Sequence, residues 1–360
     1  MILRTFGWSF AVTLLGLIAA FLYDSTEGLA LVAILAVLEI SLSFDNAVVN
    51  AKVLERMSPF WQKIFLTVGI AIAVFGMRLV FPVIIVAITA QLGPVEAVQL
   101  ALNDHEAYQE KMEFAYPMIA AFGGMFLMML FLDWIFEERS VHWLSWLEKP
   151  LVRIGKLDQL SVVIAGGSLA AAAFWWADDA HRENVLIAGI LGMITYILVN
   201  GLGSLFEIDD DEEEGAEKKS GGPTALAQAT GKAGFFLFLY LEVLDASFSF
   251  DGVIGAFAIS TDPIIIAIGL GVGAMYIRSL TVFLVRKGTL HEYRYLEHGA
   301  HWAIGALAVF MLVSIGSHLS EWITGGVGAG LIIISFISSV RRNRQDDEND
   351  TEAALESSRI

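Results

Sequence analysis

Long apolar runs recur along the whole chain, and short polar segments separate them. A helix needs about 20 apolar residues to cross a bilayer core of roughly 30 Å. Ten runs have this character, and they cover residues 6–23, 28–51, 61–90, 115–136, 160–176, 185–206, 234–257, 264–285, 299–315 and 322–340. The pattern therefore predicts an all-α polytopic membrane protein with about ten transmembrane helices.

Composition and charge narrow the class of protein. Hydrophobic residues make up 56% of the chain and charged residues 17%, whereas soluble domains have roughly 45–50% and about 25%. These values exclude a disordered protein, a fibrous repeat and an ordinary soluble enzyme. The net charge of −17 is opposite in sign to that of a nucleic-acid-binding protein. Because the chain has no cysteine, disulfides and thiolate metal sites are excluded as well.

The distribution of Lys and Arg predicts the orientation. With ten spans, the segments on the side of the two termini contain 18 of the 22 basic residues. The opposite side has only Lys111 and Arg182, and the other two, Arg78 and Arg278, fall inside spans. Basic residues concentrate on the cytoplasmic side of membrane proteins. We therefore expect a protein of the bacterial inner membrane with both termini in the cytoplasm.

Three polar segments lie between or after the predicted spans. Residues 91–114 form the main external loop, residues 207–233 an acidic cytoplasmic linker, and residues 341–360 a polar cytoplasmic tail that we expect to be disordered. An amphipathic helix is predicted after Pro94, from the apolar positions Val95, Val98, Leu102 and Tyr108.

An internal repeat divides the chain into two halves. The segments 39–46 (EISLSFDN) and 245–252 (DASFSFDG) share acidic, Ser, Phe and Asp positions. They lie on the motif helices 28–51 and 234–257, each the second span of a five-span unit, residues 1–184 and 185–340. Because five is odd, the units insert in opposite directions. This is the inverted-repeat plan of secondary transporters, with the binding site between the halves and discontinuous helices at the site.

Five acids lie within the predicted helices of these motifs: Glu39, Asp45, Glu242, Asp245 and Asp251. Each costs about 2.5–3.5 kcal/mol at mid-membrane on insertion scales. Arg78 and Arg278 are the two basic residues within spans, which leaves a net charge of −3. Buried negative charge needs a cation or protons. Carboxylate, amide and hydroxyl oxygens suit hard divalent ions such as Mn²⁺, Mg²⁺ or Ca²⁺.

The predicted metal ligands come from both motifs: Glu39, Asp45, Asn46, Asp245 and Asp251, with Ser43, Glu242 and Ser249 as additional candidates. On an ideal helix, Asp45 points about 120° away from Glu39. Either these two acids face different neighbours or the helix unwinds near residues 44–46. We expect a break there, which Gly252 would permit in the second motif as well. Arg78 and Arg278 are interpreted as counter-ions or gate residues, and a structural ion pair is the alternative.

These residues resemble the TerC family, membrane proteins linked by name to tellurium resistance. Its first motif, a Glu followed by Leu-Ser, one residue and Asp-Asn, matches Glu39, Leu42, Ser43, Asp45 and Asn46. Its second motif, two Asp residues six positions apart, matches Asp245 and Asp251, and Arg78 and Arg278 match the arginines of the following helices. The resemblance covers roughly residues 28–136 and 234–316. Departures from the pattern are Gly252 in place of Ser, Ser249 in place of Ala, and the additional Glu242.

Several members of that family are thought to export Mn²⁺, so the resemblance implies the same class here. We predict a non-enzymatic exporter of a divalent cation, with Mn²⁺ as the first expectation and Ca²⁺ or Mg²⁺ as alternatives. The cation is the substrate, the lipid bilayer is the other expected partner, and no nucleic acid is expected. Proton coupling stays open, since protons and cations compete for carboxylates. The alternatives are an intramembrane aspartyl protease and a scaffold or metal-delivery partner for exported proteins.

Overall fold

The structure is a computed structural model, and it describes residues 2–69, 71–213, 231–257, 259–260, 262–287, 293–317 and 319–357. The helices are α1 (Ile2–Leu42), α2 (Phe44–Glu55), α3 (Pro59–Ile64), α4 (Phe81–Thr89), α5 (Pro94–Asn103), α6 (His105–Phe136), α7 (Ser145–Ile154), α8 (Leu160–Trp175), α9 (Arg182–Glu213), α10 (Gly231–Phe257), α11 (Pro263–Lys287), α12 (Leu296–Ser314) and α13 (Glu321–Ser357). Two π-helical segments, π1 (Phe65–Gly69) and π2 (Ile72–Val80), lie between α3 and α4. Within these ranges no β-strand is found, so the all-helical prediction is confirmed.

Seven helices in the described part of the chain are long and apolar enough to cross a membrane. They are Thr5–Leu42, Pro59–Ile88, His105–Phe136, Arg182–Gly201, Pro263–Val285, Leu296–Ser314 and Ile323–Gln345. Large apolar side chains such as Trp8, Leu22 and Ile88 are exposed on the outside of the bundle, as lipid-facing residues are in a membrane. The protein is therefore a multi-pass membrane protein. The predicted spans on α8 and α10 are outside this set, and α8 has only 16 residues.

The first of these helices doubles back on itself. The backbone leaves the helical conformation at Asp24 and Ser25, and Ser25 has a φ of 53°. Contacts with α11 and with Asp262 directly before it are, in chain order, Ser9–Ser279, Tyr23–Asp262, Gly28–Ile265 and Glu39–Gly273. The two arms of α1 therefore run along α11 in opposite directions and form a helical hairpin. The arms correspond to the first two predicted spans.

The first motif interrupts the helix on which it lies. α1 ends at Leu42 and α2 begins at Phe44, and Ser43 between them has φ −101° and ψ 15°. The break therefore lies directly before Phe44, close to its predicted place. α10 is continuous through Gly252, so the predicted unwinding of the second motif is wrong. Gly252 serves a close approach instead of a turn, because a Cβ there would lie 3.1 Å from Glu39 Oε2.

The predicted external loop, residues 91–114, is mostly helical, and the helix predicted after Pro94 is confirmed. α5 begins at Pro94 as predicted, and the Glu96 carboxylate accepts a hydrogen bond of 2.9 Å from the Gly93 N–H. Asp104 caps α6 by accepting a hydrogen bond from the Ala107 N–H at 3.1 Å. An N-cap carboxylate satisfies a free N–H of the first helical turn. With this cap, α6 begins at His105, ten residues before the fourth predicted span.

Two polar segments also contain more helix than predicted. α9 continues to Glu213, into the predicted linker, and residues 214–230 of that linker lie outside the described residues. α13 continues to Ser357, so the predicted disorder of the tail is wrong. Glu, Arg and Gln have high helix propensity, and an existing helix adds residues at low cost.

The second motif lies near the centre of the bundle. α10 packs against α2, α6, α9, α11 and π2, and α11 packs against both arms of α1. This arrangement brings α10 next to the break between α1 and α2, so the two motifs face each other.

Candidate functional site

Four buried polar side chains from four elements meet between the motif helices. Glu39 of α1 is 0% exposed, Asn46 of α2 is 1%, Arg78 of π2 is 5% and Asp245 of α10 is 8%. Arg78 Nη2 donates to Glu39 Oε1 at 2.5 Å, and its Nη1 lies 3.9 Å from Asp245 Oδ2. The Asn46 side-chain amide donates to Asp245 Oδ1. One guanidinium therefore lies between two carboxylates that belong to different motifs.

The two motifs contact each other in a reciprocal way. The first residue of the second motif, Asp245, accepts a hydrogen bond from the last residue of the first, Asn46. The first residue of the first motif, Glu39, lies against the last residue of the second, Gly252. Each motif therefore contacts the last position of the other motif with its own first position.

The ion pair between Arg78 and Glu39 leaves polar atoms unsatisfied. Neither Arg78 Nε nor Glu39 Oε2 has a hydrogen-bond partner among the described residues. Arginine and carboxylate frequently form two parallel hydrogen bonds, whereas this pair forms one. A buried polar atom without a partner costs about 1–3 kcal/mol. The site is therefore incompletely satisfied in this conformation.

Further oxygen acceptors in the two motif helices and α2 also lack partners in the described part of the chain. They are Asn50 Oδ1, Glu242 Oε1 and Ser249 Oγ, and all three residues are buried. Glu242 lies one turn before Asp245 and packs against Gly69 of π1, where a Cβ would come within 2.5 Å of its Oε1. Buried acceptors without donors can be satisfied by a cation or by water.

A small cavity adjoins the meeting point. Its volume is about 30 Å³, and a single water needs roughly 10–15 Å³ by this measure. The polar side chains in its wall are Asn46, Asn50, Arg78, Asp245, Arg278 and Thr281. The cavity can therefore hold an ion or one to two waters, directly beside the carboxylate of Asp245.

A second, mostly apolar cavity lies on the other side of Arg78. Its volume is about 100 Å³, and its walls come from π2, α4, α5, α6, α10 and α11, with Tyr108 as a polar member. Arg78 is the residue shared by the linings of both cavities. Its side chain therefore separates the two spaces.

Ser43 and Arg278 contact different parts of the site. Ser43 is 3% exposed and donates to Glu39 Oε1 at 2.9 Å, so it lies in the predicted ligand group. Arg278 lines the smaller cavity, and its Nε and Nη2 donate to the Leu66 carbonyl at 3.1 and 2.9 Å. The two matched arginines are therefore placed differently, since Arg78 lies between the two acids.

The remaining predicted ligands are less fully described. Asp45 lies in α2 and Asp251 in α10, and both side chains lie outside the described part of the structure. Among the described side chains, no group of three or more His, Asp or Glu is arranged to hold a metal ion. The two described acids of the site, Glu39 and Asp245, have Arg78 between them. A cation therefore requires Arg78 to move before it can contact both acids.

Sequence reasoning missed some of the polar wall. Asn50 follows Asn46 by four residues, so the shared face of a helix could have indicated it. Thr281 had no such signal, because its position depends on how α11 packs. A larger polar cavity of about 420 Å³ was also missed, and it is lined by Lys52, Arg56, Asp133, Glu137, Tyr196, Asn200, Tyr240, Glu297 and His301. Its lining residues come from helices far apart in the chain, so no local sequence pattern indicated this cavity.

Comparison with known proteins gives one family. A family profile described as "Protein of unknown function (DUF475)" matches residues 44–346. This range includes the second motif, Arg78 and Arg278, and it begins inside the first motif. No curated protein and no solved structure matches the chain. Because the match covers most of its length, the chain belongs to the DUF475 family, whose function is unknown.

Proposed function

We propose that this protein exports a divalent cation, Mn²⁺ first among the candidates, across the bacterial inner membrane by alternating access. The single observation that carries the proposal is the meeting of Glu39 and Asp245, from two matched motifs, around one positive charge in the interior. The resemblance to TerC proteins points to the same class of substrate.

The charge balance of the site supports a cation as the substrate. Two carboxylates face one guanidinium, so the described group has an excess negative charge. Asp45 and Asp251 lie on the same two motifs and would add to it. Buried charge of one sign is stable only with a compensating partner. The available donors are carboxylate, amide and hydroxyl oxygens, which favour hard divalent ions over soft ones.

The arrangement of the two motifs supports transport by inverted halves. The reciprocal contacts of Glu39 with Gly252 and of Asp245 with Asn46 fit a two-fold relation between the halves. A helix break at Ser43 and the π-helical backbone around Arg78 are local irregularities, which are common at functional sites. With ten spans and cytoplasmic termini, the cavity at Arg278 faces the cytoplasm and the cavity at Tyr108 faces outward.

Transport of ⁵⁴Mn²⁺ by the purified full-length protein in proteoliposomes tests the proposal. We expect uptake that Glu39→Gln and Asp245→Asn each abolish, and that Glu110→Gln leaves intact because Glu110 is exposed on α6. Competition with Mg²⁺, Ca²⁺ and Zn²⁺ ranks the substrates, and an imposed pH gradient tests proton coupling. No uptake of any of these ions by folded protein contradicts the proposal and favours the scaffold or protease alternative.

A further inference from the structure

We infer that Arg78 determines the selectivity of the site, because its guanidinium acts as a tethered cation that only a divalent ion can displace from Glu39 and Asp245. This inference rests on the proposed function and adds a role for one residue of the same site. With Arg78 in this role, the acidic site accepts a divalent cation in the presence of monovalent cations.

The contacts of Arg78 indicate a displaceable cation. Its Nη2 bonds to Glu39 Oε1 at 2.5 Å and its Nη1 to the Ala73 carbonyl at 2.5 Å, while Nε has no partner among the described residues. Glu39 Oε2 is also without a partner in that part of the chain. Arginine and carboxylate frequently pair through both carboxylate oxygens, whereas this pair uses one. The partial pairing leaves ligand capacity for another cation.

Arg78 also has a place to which it can move. Its side chain borders the larger cavity of about 100 Å³, which contains Tyr108 in its wall. Rotation toward that space removes the guanidinium from Glu39 Oε1 and Asp245 Oδ2, and Asp245 already lines the smaller cavity. Arg78 lies in a π-helical segment, an irregularity that is frequent at functional sites.

Charge explains the selectivity. The attraction between ions is proportional to the product of their charges, so a divalent ion gains twice the Coulomb energy of a guanidinium at equal distance. A monovalent ion gains no more than the guanidinium does. It must also compete with a group that is covalently held beside the carboxylates, which gives Arg78 a high effective concentration. Na⁺ and K⁺ are therefore excluded while Arg78 is present.

Binding of ⁵⁴Mn²⁺ to the purified full-length protein in detergent tests this inference. The variants are Arg78→Gln and Arg153→Gln, the latter removing one positive charge at an exposed position of α7. Each is measured with about 150 mM Na⁺ and with choline at the same ionic strength, so that screening is equal. In choline, Arg78→Gln is expected to bind Mn²⁺ about tenfold more tightly than the unsubstituted protein, because its competitor is gone.

The comparison of Na⁺ with choline is the decisive readout. We expect Na⁺ to weaken Mn²⁺ binding about tenfold in Arg78→Gln and less than about twofold in the unsubstituted protein and in Arg153→Gln. Free guanidinium ion at low concentration is expected to compete with Mn²⁺ in Arg78→Gln only. If Arg78→Gln binds Mn²⁺ more weakly and stays insensitive to Na⁺, Arg78 supports the site and the inference is overturned.

Two outcomes separate this inference from the proposed function. If neither the unsubstituted protein nor Arg78→Gln binds a divalent ion while both are folded, the proposed function fails. If Arg78→Gln does not fold, Arg78→Lys decides the inference. Lysine keeps the charge but lacks the planar fork that reaches both carboxylates, so we expect tighter Mn²⁺ binding than in the unsubstituted protein. Weaker binding by folded Arg78→Lys overturns the inference.

Discussion

Asn46 donates a side-chain hydrogen bond to Asp245, a residue 199 positions further along the chain. Both side chains are buried, and the contact joins the last position of one motif to the first position of the other. Together with the approach of Glu39 to Gly252, this contact makes one site out of two distant segments. The charges of the site, the packing at Gly252 and the membrane topology of α1 can each be tested by separate substitutions.

The charge of Asp245 is expected to be needed for cation binding. Asp245→Asn keeps the size of the side chain but removes the negative charge near Arg78, so we expect Mn²⁺ affinity to fall by at least about tenfold, or 1.4 kcal/mol. Equilibrium binding of ⁵⁴Mn²⁺ measures this, with Glu110→Gln as the control. Unchanged affinity in Asp245→Asn would remove Asp245 from the ligand group.

The ion pair of Glu39 with Arg78 is expected to couple the two residues energetically. Glu39→Gln leaves a buried guanidinium with a weaker partner, and breaking a buried pair costs about 3–5 kcal/mol. The double variant Glu39→Gln/Arg78→Gln removes both charges and is expected to recover much of that stability. Denaturation of all four proteins in the same detergent gives the coupling energy. Additive effects would show that the two residues do not interact in solution.

A larger side chain at position 252 is expected to displace the carboxylate of Glu39. An added Cβ would lie 3.1 Å from Glu39 Oε2, and overpacking of this kind typically costs about 1–3 kcal/mol. We therefore expect Gly252→Ala to lower both the melting temperature and the Mn²⁺ affinity. Gly326→Ala is the matched control, because nothing lies within 4 Å of a Cβ at Gly326. Equal effects of the two substitutions would contradict a specific role of Gly252.

The reversal at Asp24 and Ser25 is expected to place this turn outside the membrane, on the side of α5. The chain has no native cysteine, so single cysteines can be labelled with an impermeant maleimide in intact cells. We expect labelling from outside for Asp24→Cys and Glu106→Cys, and none for Lys149→Cys until the membrane is opened. Failure of Asp24→Cys to react in intact cells, with Glu106→Cys reactive, would contradict the hairpin topology and the count of ten spans.

Local patterns predicted most of the helices because bilayer thickness sets a minimum apolar length. The break near Phe44 was also predictable, since Glu39 and Asp45 cannot share one helical face. The continuity of α10 was not, because Gly252 permits a turn and a close contact equally well. Asp104 shows the same limit at a helix end, since a capping carboxylate and a loop carboxylate have the same sequence signal.

Apolar length and local spacing are properties of the chain alone, so they were enough to predict a helical membrane protein with two matched acidic motifs. The position of Arg78, rather than Arg278, between Glu39 and Asp245 came only from the packing of the helices. The same packing brings the Glu39 side chain against Gly252. These relations depend on the rotation and distance of helices that are far apart in sequence, and packing fixes both. Periodicity within one helix carries no information about the partner that each face will meet.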